Sequence, residues 1–291
     1  MVRLLRFVSL VVVAFGLVAP SAAPASAASG LRVLPIRPPG YVLAAADGGV
    51  FAFGRGFHGS AAGLHLGAPI TGVASTPDGD GYWLVASDGG VFAFGSARFF
   101  GSMGGIALNA PIVGIAATPG GAGYWLTASD GGVFAFGDAR YFGSLSGLHI
   151  LAPVVGIATT GDGNGYWLLT AGGEAFALGD ALAPGAPPAL QAPLLRQYVG
   201  IALIPRTTRG IAIATFDGTT LTYDADTAGC RPISAIGVTM NAPVVGVASG
   251  TADCGQWLAA SDGGVFTLRG APFLGSAATL KLAAPIVGIA N

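Results

Sequence analysis

The chain has 291 residues, 52% of them hydrophobic and only 9% charged, with 49 Gly, 19 Pro, 2 Cys and a formal net charge of −1. That composition excludes intrinsic disorder, which needs low hydrophobicity and high net charge, and two cysteines exclude a disulfide-dense mini-protein. Glycine does not fall on every third residue, so collagen is excluded. Beyond residue 30, Gly, Pro or a charge interrupts every apolar run before the roughly 20 residues of a membrane helix are reached.

Taken in chain order, residues 1–27 read as a secretory signal peptide. Arg3 and Arg6 form a positive start, 7–18 is an apolar stretch, and Ala25-Ser26-Ala27 is an A-x-A cleavage pattern. The two arginines are not adjacent, so a twin-arginine signal is not expected, and no Cys follows that would carry a lipid anchor. Loss of Arg3 and Arg6 leaves 11 basic and 14 acidic residues, a net charge of −3. Nucleic acid is therefore not an expected partner, because it needs a dense basic footprint. The expected location is secreted, extracellular or cell-wall associated, with no membrane span after cleavage and a monomeric chain. Residues 28–39 form a linker, and 40–291 form one domain.

That domain is a repeat. GYVLAAADGGVFAFG begins at Gly40, and related blocks begin at Gly81, Gly123, Gly165, Gly210 and Gly255, spaced by 41, 42, 42, 45 and 45 residues. A second element, API-x-G-[IV]-A in its fullest form, precedes most copies. A last copy at 285–290 stands alone at the C-terminus. Within a unit, residues 112–118, 124–129 and 133–137 are short, rich in β-branched and aromatic residues, and bounded by turn residues, as strands are. Ser-Asp-Gly-Gly between the last two has the composition of a tight hairpin. A fourth strand is expected at 140–144, matched by 98–102. Both faces of the Tyr-Trp strand are apolar, as in a sheet packed between neighbours.

Four short strands in each unit of about 42 residues predict an all-β fold, a β-propeller of six four-stranded blades. The first unit lacks a good first strand, because 33–37 is broken by Pro. The C-terminal copy is expected to complete that blade, which would remove the exposed sheet edges. YWLVASDGGVFAFG, followed by ARFFGS and APIVGIA, resembles a repeat common in secreted proteins of actinobacteria. The resemblance implies an exported propeller-like repeat protein and implies little about activity. DGGVFAFG is also loosely similar to the repeats of chromosome-condensation-regulator propellers, whose period is longer. Units four and five depart from the pattern: Ala171-Gly172 replaces Ser-Asp, a Pro-rich stretch occupies 183–193, and unit five lacks the Tyr-Trp pair.

Several residues are candidates for function. The hairpin acids Asp47, Asp88, Asp130, Asp217 and Asp262 would form a ring of carboxylates. The preferred reading is that they accept backbone N–H groups in their own turns. Asp78, Asp80, Asp162 and Asn164 stand at alternate positions of two loops, a spacing of oxygen ligands that suits Ca²⁺. The loops lack a distal bidentate Glu, so plain turns are preferred, and no other cofactor is expected. Phe57, Phe99, Phe100, Tyr141 and Phe142, in the fourth-strand segments, are the candidate ligand-binding residues. Their expected ligand is a cell-wall glycan or a surface protein. Cys230 and Cys254 are expected to form a disulfide across adjacent blades.

No catalytic motif is present, neither G-x-S-x-G, H-E-x-x-H nor a phosphate loop, and the chain is not expected to be an enzyme. The function so read is an exported, non-catalytic propeller acting as a binding or structural module at the cell surface. The alternative is a propeller-based extracellular hydrolase or lyase. Its site would lie in the irregular fourth and fifth blades and draw on Glu174, Asp180 and Arg196.

Overall fold

The central strand of each repeat organises its sheet. In the computed structural model, which describes residues 39–183, 197–205, 207, 209–223, 240–250 and 254–291, those strands are buried from end to end. Eighteen strands and no helix are formed among the described residues, in six three-stranded antiparallel sheets. The first sheet joins β1 (Tyr41–Ala45) and β2 (Val50–Phe53) to the C-terminal β18 (Ile286–Ala290), with Leu43 opposite Ile289 and Phe51. The second holds β3 (Ile70–Ser75), β4 (Gly81–Ala86) and β5 (Val91–Gly95). The third holds β6 (Ile112–Ala117), β7 (Gly123–Ala128) and β8 (Val133–Gly137). The fourth holds β9 (Val154–Thr159), β10 (Gly165–Thr170) and β11 (Ala175–Gly179). The fifth holds β12 (Tyr198–Leu203), β13 (Ile211–Thr215) and β14 (Thr220–Tyr223), and the sixth β15 (Val244–Ser249), β16 (Gln256–Ala260) and β17 (Val265–Leu268).

The API-x-G-[IV]-A element explains how the sheets meet. Its apolar residue after Pro opens the inner strand, the next residue is bulged out of the ladder, and the glycine follows. Those glycines, Gly72, Gly114, Gly156, Gly200, Gly246 and Gly288, line one axial cavity of about 90 Å³, so the six sheets stand around a common axis in a propeller-like arrangement. Each abuts the inner strand of the following sheet. A Cβ on Gly156 would reach Ile201 Cγ2 at 3.2 Å, and one on Gly288 would reach Val73 Cγ1 at 3.3 Å. The inner strands thus touch in the order β3, β6, β9, β12, β15, β18 and again β3. A bulge at this point increases local twist and lets six strands crowd near the axis.

Backbone hydrogen bonds repeat the same order. The residue that begins each hairpin donates to the carbonyl just before the inner strand of its own sheet, a proline in every repeat but the fifth, where it is Gln197, and accepts from the first inner-strand residue of the next. Ser87 N donates to Pro69 O, and Ile112 N to Ser87 O, both at 2.9 Å. The same pair of bonds recurs at Ala46, with Pro285 and Ile70, and at Ser261, with Pro243 and Ile286.

Among the described residues the apolar core is divided. Six apolar clusters each lie between two neighbouring sheets. Trp and Tyr alternate along the central strand and so point to opposite faces. The Trp of one sheet then meets the Tyr of the next: Trp83 with Tyr124 at 5.6 Å, Trp125 with Tyr166 at 5.8 Å, and Trp257 with Tyr41 at 5.3 Å between ring centroids.

Among the described residues each sheet has three strands, where four were expected. Segments 98–102 and 140–144 form no ladder. Three backbone groups of each segment are bonded instead by the Trp and Tyr side chains that flank it. The fourth repeat, despite its altered hairpin, forms a regular sheet. The Thr170 hydroxyl accepts from Glu174 N at 3.1 Å where the other repeats use Asp.

Gly200→Ala tests the crowding at the axis. Its Cβ would stand 3.2 Å from Gly246 Cα and from Val247 N, backbone atoms that cannot rotate away. We expect a loss of about 1–3 kcal/mol, read as a lowered urea midpoint.

Candidate functional site

After the third strand of a regular repeat the chain runs back as a wedge between two sheets, and the wedge is held from both sides. In the second repeat Trp83 Nε1 donates to Arg98 O at 2.8 Å from the wedge's own sheet. From the third sheet, Tyr124 Oη accepts from Phe100 N at 3.2 Å and donates to Gly101 O at 2.5 Å. The bonds recur for Trp125 with Arg140, Tyr166 with Phe142 and Gly143, Tyr82 with His58 and Gly59, and Tyr41 with Gly275. Gly101 has φ +136°, and a Cβ there would strike Phe136 Cδ1 at 2.5 Å, so the wedge has glycine at this point.

In the second, third and sixth repeats clamped peptides on either side of one residue send its side chain outward; in the first, where Val42 stands in place of Trp, the Tyr82 side of the clamp holds it. Phe57, Phe99, Tyr141 and Phe273 occupy that position and are 61, 61, 60 and 62% exposed. The following residue turns inward: Phe100 packs edge-on against Tyr124 at 5.8 Å, and Phe142 against Tyr166 at 5.7 Å. The structure therefore divides the five candidate aromatics. Phe57, Phe99 and Tyr141 stand free on the outer rim, while Phe100 and Phe142 hold the wedge. Phe273 joins the first group. It escaped the sequence reading because its segment is spelled A-P-F-L-G-S, although the distance from its Trp was the available signal. Since the first sheet lies between the sixth and the second, the four side chains form an arc over consecutive sheets six, one, two and three. At the same position the fourth repeat has Ala183, and the fifth lies outside the described residues.

The hairpin acids act within their turns. Asp47, Asp88, Asp130, Asp217 and Asp262 each accept a backbone N–H two residues on, at 2.9–3.0 Å. The loop acids do likewise. Asp78 Oδ1 accepts from Thr76 Oγ1, Ser96 Oγ and Asp80 N at 2.5, 2.9 and 3.0 Å. Asp162 Oδ1 accepts from Thr160 Oγ1 and Asn164 N at 2.7 and 3.2 Å, and Asn164 Nδ2 donates to its other oxygen. In the third repeat Gly120 replaces the loop acid, and Thr118 bonds to Asp138 at 2.8 Å instead. Only the fourth repeat carries both acids. The Thr160 hydroxyl lowers Asp162 to about 2, while burial and the neighbouring Asp162 raise Asp180, beside which Arg209 lies at 3.8 Å. Among the described residues no group of three or more His, Cys, Asp or Glu is placed to hold a metal ion.

Glu174 and Asp180 do not converge. They flank β11 at its two ends, a separation of roughly 20 Å at the rise of a strand. Arg196 and Cys230 lie outside the described residues. Cys254 is not a free thiol and has a positive φ of 62°.

No protein-family model matches the chain, and no curated protein matches it. Among solved structures it is similar to the Cps50 (Swd1) β-propeller domain of Myceliophteria thermophila. The identity is 14% and the TM-score 0.49, over 76% of this chain and 71% of that one.

Tyr124→Phe would leave the Phe100 N–H and the Gly101 carbonyl without their partner, for an expected loss of about 1–3 kcal/mol in urea denaturation. Burial raises the pKa of Tyr41, Tyr82, Tyr124 and Tyr166 above the ordinary 10.0. The neutral phenol is the form the fold favours. Stability from these groups is therefore fully present below pH 10 and falls as pH rises through the raised values. Urea midpoints followed into alkali should show that decline, and it should be shallower in Tyr124→Phe.

Proposed function

We propose that the chain is an exported β-propeller that acts as a non-catalytic binding module at the cell surface and engages a wall glycan along its rim. In this reading its six blades are closed into a ring by β18 on β1. The observation that carries the reading is the arc of Phe57, Phe99, Tyr141 and Phe273, repeated on four consecutive sheets and held outward by clamped backbone. Exposed aromatic rings offer flat apolar faces to the C–H faces of sugars, and an array of equivalent rings suits a polymer of equivalent units. Export rests on the signal-like residues 1–27 and accords with a rim that faces an extracellular polymer. Among the described residues no helix is long and apolar enough to cross a membrane.

A protein partner is the second reading, favoured by a different set. Leu64, Ile106, Leu148 and Leu280 recur at the hairpin end of the same four repeats and are 51–62% exposed. Aliphatic side chains do not stack on sugars as rings do. A hydrolase built on Glu174 and Asp180 would need the two acids within about 10 Å of each other, flanking one scissile bond, and the length of β11 separates them further than that.

Binding of the full chain to isolated cell wall and to a glycan array tests the first reading. Saturable binding lost in the Phe57→Ala, Phe99→Ala, Tyr141→Ala, Phe273→Ala variant is the expected outcome. Binding unchanged in that variant removes the rim as the site, and no glycan binding at all turns the reading to a protein partner. A disulfide between Cys254 and Cys230 belongs to the same proposal, as the staple of the most degenerate repeat. Neither thiol should react with an alkylating reagent in the folded or urea-unfolded chain until a reductant is added.

A further inference from the structure

The third sheet carries a pocket of about 220 Å³ at its hairpin end, which none of the four rim aromatics lines. Three pieces of chain build it. Asp130, at the corner of the β7–β8 hairpin, accepts Gly132 N with Oδ1 and leaves Oδ2 available. Leu108 and Asn109 come from the loop leading into β6. Ser144 and Ser146 come from the end of the wedge, which is fixed to the hairpin by Leu145 N donating to Gly131 O at 2.9 Å. Phe134 supplies part of the apolar wall.

The repeat supplies an internal control. Every regular repeat has this hairpin and an equivalent of Ser144, but the counterparts of Asn109 and Ser146 are Gly67 and Gly104 for the second sheet. They are Ala283 and Ala62 for the first sheet, and Asn241 and Ala278 for the sixth. In the first and second sheets the turn is thus served by Gly or Ala at both positions, and in the sixth by Asn with Ala. Among the described residues the third sheet alone combines Asn with Ser. A Cβ at Gly67 would stand 3.2 Å from Asp88 Oδ2, so the Asn109 position adjoins the hairpin carboxylate. No protein group hydrogen-bonds the side chains of Asn109, Ser144 or Ser146 among the described residues.

We propose that this pocket binds a single neutral sugar ring. The carboxylate oxygen accepts a sugar hydroxyl, the Asn109 amide both donates and accepts, and the two serine hydroxyls do either. Phe134 and Leu108 face the C–H side of the ring. The lining has one carboxylate and no cation, so an anionic sugar would meet an uncompensated negative charge. Pockets for drug-sized ligands run from about 300 Å³ upward, and this one is smaller, which suits one ring. The inference goes beyond the rim reading, because the site is unique where the rim is repeated.

Calorimetric titration of the full chain with the methyl glycosides of glucose, galactose, mannose and N-acetylglucosamine tests it. Saturable one-to-one binding of at least one is expected. Asn109→Gly with Ser146→Gly, which restores the residues of the second repeat, should weaken it by about tenfold or more, the loss of one to two hydrogen bonds. The loss in Asn109→Gly, Ser146→Gly is read in the monosaccharide titration and the loss in the rim variant in cell-wall binding, which separates failure here from failure of the rim reading. Gly67→Asn with Gly104→Ser, folded by circular dichroism, should bind a second equivalent. Four inert glycosides overturn the proposal, as does affinity unchanged in Asn109→Gly, Ser146→Gly. Stoichiometry that stays at one in the graft, or preferential binding of methylammonium over every sugar, does the same.

Discussion

The contact between the tryptophan of one sheet and the tyrosine of the next is the interaction on which the rest of this structure depends. A three-stranded sheet of five-residue strands has two apolar faces and cannot bury either one alone. Here each face is covered by a neighbour, and the pair that covers it has a polar end: indole Nε1 and phenol Oη both reach the wedge that runs between the sheets. Apolar burial and backbone satisfaction are thus achieved by the same two side chains. Full burial of an aromatic ring contributes on the order of 2–3 kcal/mol, so an interface that lacks the pair is correspondingly weaker.

The interfaces are not equal, and the inequality follows the chain. Trp83, Trp125 and Trp257 each meet a tyrosine of the following sheet. Between the first and second sheets Val42 stands in place of Trp, and between the fourth and fifth Ile211 stands in place of Tyr. Between the fifth and sixth both are lost: Ala212 and the buried Gln256 occupy the two positions, and among the described residues neither polar atom of the Gln256 side chain has a partner. A buried amide without hydrogen bonds is destabilising. The weakest contact is therefore expected between the fifth and sixth sheets, at the sixth-sheet edge of the exposed aromatic arc.

Self-similarity also shapes what the chain can do. A residue repeated in every unit, such as the hairpin Asp, serves the turn, and its hydrogen bond to the residue two positions on accounts for it. A residue that breaks the pattern while the fold around it stays regular calls for another account. Asn109 and Ser146 are of that kind. So are Asp162 and Asp180, where the fourth repeat keeps both of two acids that the second and third use one at a time.

Much of the fold was legible before any coordinates. The period, the hairpin Asp-Gly-Gly and the alternation of Tyr and Trp are local patterns, and backbone geometry converts them directly into strands, turns and opposed faces. The lone C-terminal copy of the inner-strand motif was likewise enough to expect β18 beside β1. The wedge was not legible. Arg-Phe-Phe-Gly-Ser has the composition of a strand, and only the positions of Trp83 and Tyr124, on two different sheets, decide that its peptide groups bond to side chains rather than to a ladder. The same clamp decides which of two adjacent aromatics, Phe99 or Phe100, faces solvent, a choice that period-2 alternation leaves open until one neighbour is fixed. The glycine of the inner-strand motif is a third case: its necessity comes from the close approach of the next sheet, a contact 40 or more residues away. Sequence by itself determined what is local and repeated here; tertiary structure decided whatever depends on where two sheets meet, because that distance is written in neither repeat alone.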